Sequence, residues 1–150
     1  MIFVSAGTGF APMRAFLWER MAMKSRGVEL GAAALFNGIR NTQQDHIYRE
    51  EIEALAKNGV LDFVHVATSR QATEKHRYVQ DQIVAQGALV WALIRQGAYL
   101  YVCGSSAMRT DVRSAFVTVV AAFGGVSREQ ATEYVARMEA EQRYRTDVWG

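Results

Sequence analysis

Cysteine and proline occur once each in the 150 residues, as Cys103 and Pro12, and histidine only three times. A single thiol excludes an internal disulfide and leaves a cysteine-based metal site without partners. His46, His65 and His76 are scattered, with no ligand spacing such as H-E-x-x-H. They read as surface or locally hydrogen-bonded side chains, and no metal is expected. No apolar run approaches the roughly 18–20 residues of a membrane span. No basic region precedes the apolar stretch at the amino terminus, as it would in a signal peptide. The net charge of +2, without a basic tract interleaved with aromatics, argues against a nucleic-acid partner. A reducing, cytoplasmic setting fits these absences.

What is present is an apolar chain, 50% hydrophobic, of a length that makes one domain with a substantial core. Strand-like runs alternate with helix-length segments. Ile2 to Ala6 reads as a strand, followed by a helix from Pro12 to about Arg26. Ala32 to Gly38 is a second strand, and a helix from about Ile47 to Lys57 ends at the Asn58-Gly59 breaker. Leu61 to Ala67 is a third strand. Helical segments at Tyr78–Gln86 and Leu89–Gln96 break near Gly87, and a fourth strand runs from Ala98 to Cys103. A long helix from about Met108 to Phe123 stops at Gly124-Gly125. Ser127-Arg128-Glu129-Gln130 then has the form of a capping box for a last helix, and Arg143 to Trp149 closes as a short strand. This alternation predicts an α/β fold, a doubly wound and mostly parallel sheet of about five strands with helices on both faces. Ligands of such sheets lie beyond the carboxyl ends of the strands.

The loops at those ends carry the chemistry. After the first strand stands Gly7-Thr8-Gly9, with Pro12 opening the helix that follows. Glycines let backbone amides approach a pyrophosphate, Thr8 adds a hydroxyl, and the helix start contributes partial positive charge. Proline suits a first helical turn, where its missing amide would lack a partner anyway. Pro12 also occupies the third glycine position of G-x-G-x-x-G, so that fingerprint is not met, and an ordinary tight turn is the other reading. After the second strand stands Asn37-Gly38-Ile39-Arg40, with Arg40 where NAD-selective sites often place a carboxylate. After the third come Ser69-Arg70 and then Lys75-His76-Arg77-Tyr78, a hydroxyl and cations suited to a 2′-phosphate on adenosine. After the fourth comes Cys103-Gly104-Ser105-Ser106-Ala107-Met108. Here Cys103 is either a small core residue or a neighbour of a nicotinamide ring. Trp149, close to Asp147, is either a core plug or a plate that stacks on a flat heterocycle.

Together these residues resemble a known family. Gly7-Thr8-Gly9-Phe10-Ala11-Pro12-Met13-Arg14-Ala15-Phe16, with Glu19-Arg20 after it, is similar to the G-T-G-x-A-P-x-R-x-F…E-R opening of the pyridine-nucleotide domain of diflavin reductases. This branch of the ferredoxin–NADP reductase superfamily includes cytochrome P450 reductases, P450–reductase fusions, sulfite reductase flavoproteins and the reductase region of nitric oxide synthases. The resemblance continues through Asn37-Gly38-Ile39-Arg40, Asp45-His46-Ile47-Tyr48-Arg49-Glu50-Glu51, Ser69-Arg70, Tyr78-Val79-Gln80, Tyr101-Val102-Cys103-Gly104 and Arg143-Tyr144…Asp147-Val148-Trp149. It looks nearest to P450 reductases and the reductase end of P450 fusions.

The resemblance implies the carboxyl-terminal NADP(H)-binding domain, residues 1–150, of a longer reductase that transfers hydride from NADPH to FAD. Electrons would pass on through FMN to a haem acceptor, a cytochrome P450 first and a sulfite reductase or other haemoprotein second. Gly7, Thr8, Gly9 and Pro12 would form the pyrophosphate cradle, with Arg40 along the nucleotide. Ser69 and Arg70 would hold the 2′-phosphate, with Lys75, His76 and Arg77 competing for the family's phosphate-binding lysine. Tyr78 would lie near the adenine, and Gln80 and Met108 would complete the cofactor contacts. Cys103 would sit by the nicotinamide, Asp147 would support hydride transfer, and Trp149 would cover the flavin. The FAD- and FMN-binding domains, including a barrel that holds most of the FAD, are expected elsewhere in the same polypeptide. Two positions depart from the pattern: Ile39 stands where the family commonly has cysteine, and Ser105 where it usually has aspartate. A nucleotide-binding sensor module without chemistry of its own is the reading from another class.

Overall fold

The computed structural model describes residues 1–41, 46, 48–71 and 76–149. Lys75, and Asp45 and Ile47 of the family-like segment, lie outside the described residues. In chain order the elements are β1 (Ile2–Ala6), α1 (Phe10–Ser25), β2 (Ala34–Ile39), α2 (Arg49–Lys57), β3 (Phe63–Thr68), α3 (Val79–Ala85), α4 (Gly87–Arg95), β4 (Leu100–Ser105), α5 (Ser106–Gly124), α6 (Arg128–Ala140) and β5 (Tyr144–Trp149). The five strands form one sheet in the order β3-β2-β1-β4-β5, and every neighbouring pair is parallel.

Burial explains the order. Strand β1 is apolar from Ile2 to Val4 and almost wholly buried, as suits the centre of a sheet covered on both sides. The edge strands β3 and β5 carry the exposed and polar positions, among them His65, Arg145 and Asp147. Side chains alternate across the sheet. Ile2, Val4, Ala34, Phe36, Leu100 and Val102 pack under α3, α4, α5 and α6, while Phe3, Leu35 and Cys103 pack with Phe10, Met13 and Leu17 of α1 and Ile52 and Leu55 of α2.

Several boundaries differ from the sequence reading, each for a local reason. Helix α1 begins at Phe10, two residues before Pro12, so the proline sits inside a first turn whose amides need no partner. Helix α5 begins at Ser106, because the Ser105 hydroxyl accepts the Met108 amide proton at 3.2 Å and caps it. The break between α3 and α4 falls at Gln86, and Gly87 opens α4 instead of ending α3. That glycine answers to packing: the Phe123 ring occupies the place a Cβ would take. The Ser127 capping box is present in both directions, with Gln130 N to Ser127 Oγ at 3.2 Å and Ser127 N to Gln130 Oε1 at 3.0 Å.

Candidate functional site at the carboxyl edge of the sheet

Chain connections leave β1 and β4 in opposite directions across the sheet, so a crevice opens at their carboxyl ends. Residues Gly7–Gly9 make a single tight turn there and lead directly into α1. Gly7 has φ +56°, a left-handed conformation that a side chain resists, and nothing lies within 4 Å of where its Cβ would be. The backbone is therefore open above the turn. Gly9 is a glycine for another reason: a Cβ there would collide with the Cys103 carbonyl oxygen at the end of β4. The turn is pressed against β4, and the positive end of α1 is held at the crevice. Thr8 is exposed on the same turn.

Across β4 and β5 the register pairs Cys103 with Asp147 and Ser105 with Trp149. Cys103 is buried, and burial followed by the charge of Asp147 pushes its thiol pKa above the ordinary value, so it stays protonated at neutral pH. Asp147 is exposed, and Trp149 is 46% exposed, too open for a core plug. The Trp149 carbonyl lies 3.5 Å from the Ser106 hydroxyl, which donates to it and ties the end of β5 to the start of α5. Met108 takes a different place. Its thioether lies against Gly104, where a Cβ would sit 2.5 Å from Met108 Cε, and it packs in the core under α3–α6. Gly104 thus makes room for Met108 on the face opposite Cys103.

The other half of the crevice lies at the ends of β2 and β3. The Ser69 and Arg70 amides donate to the Ile39 and Arg40 carbonyls, each at 3.0 Å, so Arg40, Ser69 and Arg70 emerge side by side. Among the described residues neither Arg40 nor Arg70 has an ion-pair partner. The Ser69 hydroxyl rests on the Ile39 carbonyl at 3.4 Å. Arg77 donates through Nε and Nη2 to the Ser69 carbonyl at 3.1 and 2.5 Å, bracing the loop that carries the hydroxyl. Tyr78 is 51% exposed just before α3, and Gln80 donates to Asp111 of α5 at 3.4 Å.

Two parts of this architecture escape a reading of local pattern. Beneath the turn, buried Ser5 donates through Oγ to Asn37 Oδ1 at 2.9 Å, in the register row that also holds Cys103 and Asp147. The available signal was a polar residue near the end of each of two apolar strands. Behind the turn, Arg14 chelates Glu51 at 2.8 and 2.9 Å, Trp18 Nε1 donates to the same carboxylate, and Arg14 lies over the Tyr48 ring at 5.5 Å. Tyr48 in turn packs on Phe10 at 5.1 Å, so this clamp fixes the start of α1 against α2. Its partners stand more than thirty residues apart, beyond any local signal.

An open glycine turn at a helix start, with two guanidinium groups farther along the same edge that have no ion-pair partner among the described residues, fits a dinucleotide bearing an extra phosphate. The oxidoreductase NAD-binding domain family matches residues 3–114. The chain belongs to that family. It is 44% identical over 150 residues to the sulfite reductase [NADPH] flavoprotein alpha-component of Vibrio cholerae, covering 99% of this chain and 24% of the relative. It is 38% identical over 151 residues to the NADPH–cytochrome P450 reductase of Rattus norvegicus and 37% identical over 150 residues to that of Homo sapiens. Each of these covers 99% of this chain and 22% of the relative. The resemblance to the nucleotide domain of diflavin reductases thus extends over the whole chain, which spans about a quarter of the length of these relatives. The sulfite reductase component matches at higher identity than these P450 reductases, against the nearer likeness to P450 reductases read from the motifs.

Proposed function

We propose that this chain is the NADP(H)-binding domain of a longer, cytoplasmic, NADPH-dependent flavoprotein reductase. NADPH, when bound, supplies the hydride that reduces FAD, and electrons then pass through FMN to a haem acceptor. The observation that carries the reading is the pairing of two features on one edge of the sheet. One is the open Gly7–Gly9 turn at the start of α1, and the other is Ser69-Arg70 beside Arg40.

Gly7, Thr8 and Gly9, with Pro12 in the first turn of α1, bind the pyrophosphate through amides, a hydroxyl and the helix field. Ser69 and Arg70 hold the 2′-phosphate, Arg77 keeps the Ser69 loop in place, and Tyr78 covers the adenine. Cys103, kept as a thiol, packs beside the nicotinamide. Asp147 would support hydride transfer at the same place, and Trp149 would cover the flavin. The sheet itself supports a flavin-domain partner. Helices α1 and α2 cover the Cys103 face of β1, β2 and β4, while Arg145, Asp147 and Trp149 on β5 remain exposed there. An FAD-binding domain of the same polypeptide fills that side, and an FMN-binding domain follows it in the electron path.

The acceptor is a haem protein or haem domain. The 44% identity to a sulfite reductase component gives that acceptor a claim beside the P450 one. Among the described residues no helix is long and apolar enough to cross a membrane.

Adenosine 2′,5′-bisphosphate and adenosine 5′-phosphate test the phosphate half of the site on this chain directly. The bisphosphate should bind and the monophosphate should not, and Arg70→Ala should abolish the difference. Equal binding of both by the wild-type chain would contradict the assignment.

A further inference from the structure

Helix α1 starts without a side-chain cap. Gly9 precedes it and has no side chain to offer, and no acidic residue stands in its first turn. Helices α5 and α6 differ, because the Ser105 and Ser127 hydroxyls accept amide protons at their starts. A capping side chain fixes a helix start but consumes an amide that an anion would otherwise use. A start that keeps its amides free must be held in place by other means. The core supplies only part of that hold: Phe10, Met13 and Leu17 are the buried apolar residues of α1, about one to a turn.

The rest comes from behind, from α2. Glu51 accepts the Arg14 Nε proton between its two oxygens at 2.8 and 2.9 Å, and Trp18 Nε1 donates to Oε1 of the same carboxylate. Arg14 and Trp18 stand four residues apart on one face of α1, so a single carboxylate fixes both the height and the rotation of the helix. Tyr48, just before α2, lies under the Arg14 guanidinium at 5.5 Å and against the Phe10 ring at 5.1 Å. Phe10 in turn donates its amide proton to the Gly7 and Thr8 carbonyls and closes the glycine turn. Contacts therefore run unbroken from Glu51 through Arg14, Tyr48 and Phe10 to the turn. Arg14 and Glu51 are only partly buried, and pairs of that kind add little to overall stability. What the clamp decides is where α1 begins.

We propose that Glu51 is a positioning residue for the coenzyme, setting through Arg14, Trp18 and Tyr48 where the Gly7–Gly9 turn presents its amides. The inference rests on the reading of that turn as the pyrophosphate cradle, and one arm of its test needs no coenzyme.

Titrations of this chain and its variants with NADP⁺ and with adenosine 2′-phosphate, followed by amide NMR, separate positioning from general support of the fold. Adenosine 2′-phosphate reaches the Ser69–Arg70 end and carries no phosphate for the turn. Removing a negative charge would by itself tighten any anion, so a loss of affinity reports geometry. Glu51→Ala should weaken NADP⁺ about tenfold, the scale of one hydrogen bond to a charged group, and leave adenosine 2′-phosphate unchanged. Glu51→Gln keeps an acceptor oxygen and should lose less. Wild-type or tighter NADP⁺ binding by Glu51→Ala would overturn the proposal, as would an equal loss for both ligands. If Glu51→Ala does not fold, Arg14→Met, which keeps an apolar stem at that position, decides by the same criteria. In the free chain, either substitution should move the Gly7 and Gly9 amide resonances and leave those of Gly97 and Gly125 in place. Unmoved Gly7 and Gly9 resonances would overturn the proposal whether or not coenzyme binds. Failure of the wild-type chain to bind NADP⁺ would instead strike the functional reading and leave the resonance test standing.

Discussion

One carbon atom separates a close-packed turn from a displaced one at Gly9, where a methyl group would meet the Cys103 carbonyl. Gly9→Ala should cost about 1–3 kcal/mol of stability through overpacking and lower the thermal midpoint. An unchanged midpoint would mean that the turn and β4 do not touch as described. Gly7 sits two residues away with open space above it, so alanine there meets only backbone strain, and the smaller loss should be about 1 kcal/mol. At the far end of the site, Arg70→Ala should weaken NADP⁺ by about 1.5–3 kcal/mol, the scale of a hydrogen bond to a charged group, and leave NAD⁺ nearly untouched. Isothermal titration of both coenzymes checks this, and equal losses would remove the 2′-phosphate from Arg70. Cys103→Ser in the full-length reductase should slow single-turnover hydride transfer more than it weakens coenzyme binding. Lost stability with an unchanged rate would make the thiol purely structural.

At the scale of elements, the caps illustrate what local pattern conveys. Ser127 and Gln130 were legible as a capping box because the motif spans only four residues, and both of its hydrogen bonds are present. Ser127→Ala should cost about 1 kcal/mol, measured by denaturant unfolding. Strand and helix alternation was legible for the same reason, since periodicity and turn residues are local. The parallel sheet followed from the general rules of strand–helix alternation, while the order β3-β2-β1-β4-β5 depends on pairings between distant segments. Ser105 shows the limit. Its hydroxyl caps α5, so the departure from the family's aspartate fills a structural position that the motif comparison could not supply. Met108, in the first turn of α5, packs against Gly104 on the face opposite Cys103, a placement that its neighbours in sequence do not convey. The Arg14–Glu51–Trp18 clamp and the Ser5–Asn37 pair depend on contacts across 32 or more residues, and no local signal encodes them.

On the scale of the whole molecule, the sheet order decides where everything meets. Placing β1 beside β4 opens the crevice, and placing β5 at the edge leaves Asp147 and Trp149 on a face that α1 and α2 do not cover. The proposed phosphate-binding and hydride-transfer residues therefore stand on one edge of one sheet, and the account predicts that this chain binds its coenzyme without the flavin domains. Calorimetric titration of this chain with NADP⁺, and with NAD⁺ alongside, tests that claim most directly. Binding of NADP⁺ with far weaker binding of NAD⁺ is the predicted result. Binding of neither coenzyme, or of both with equal strength, would contradict it.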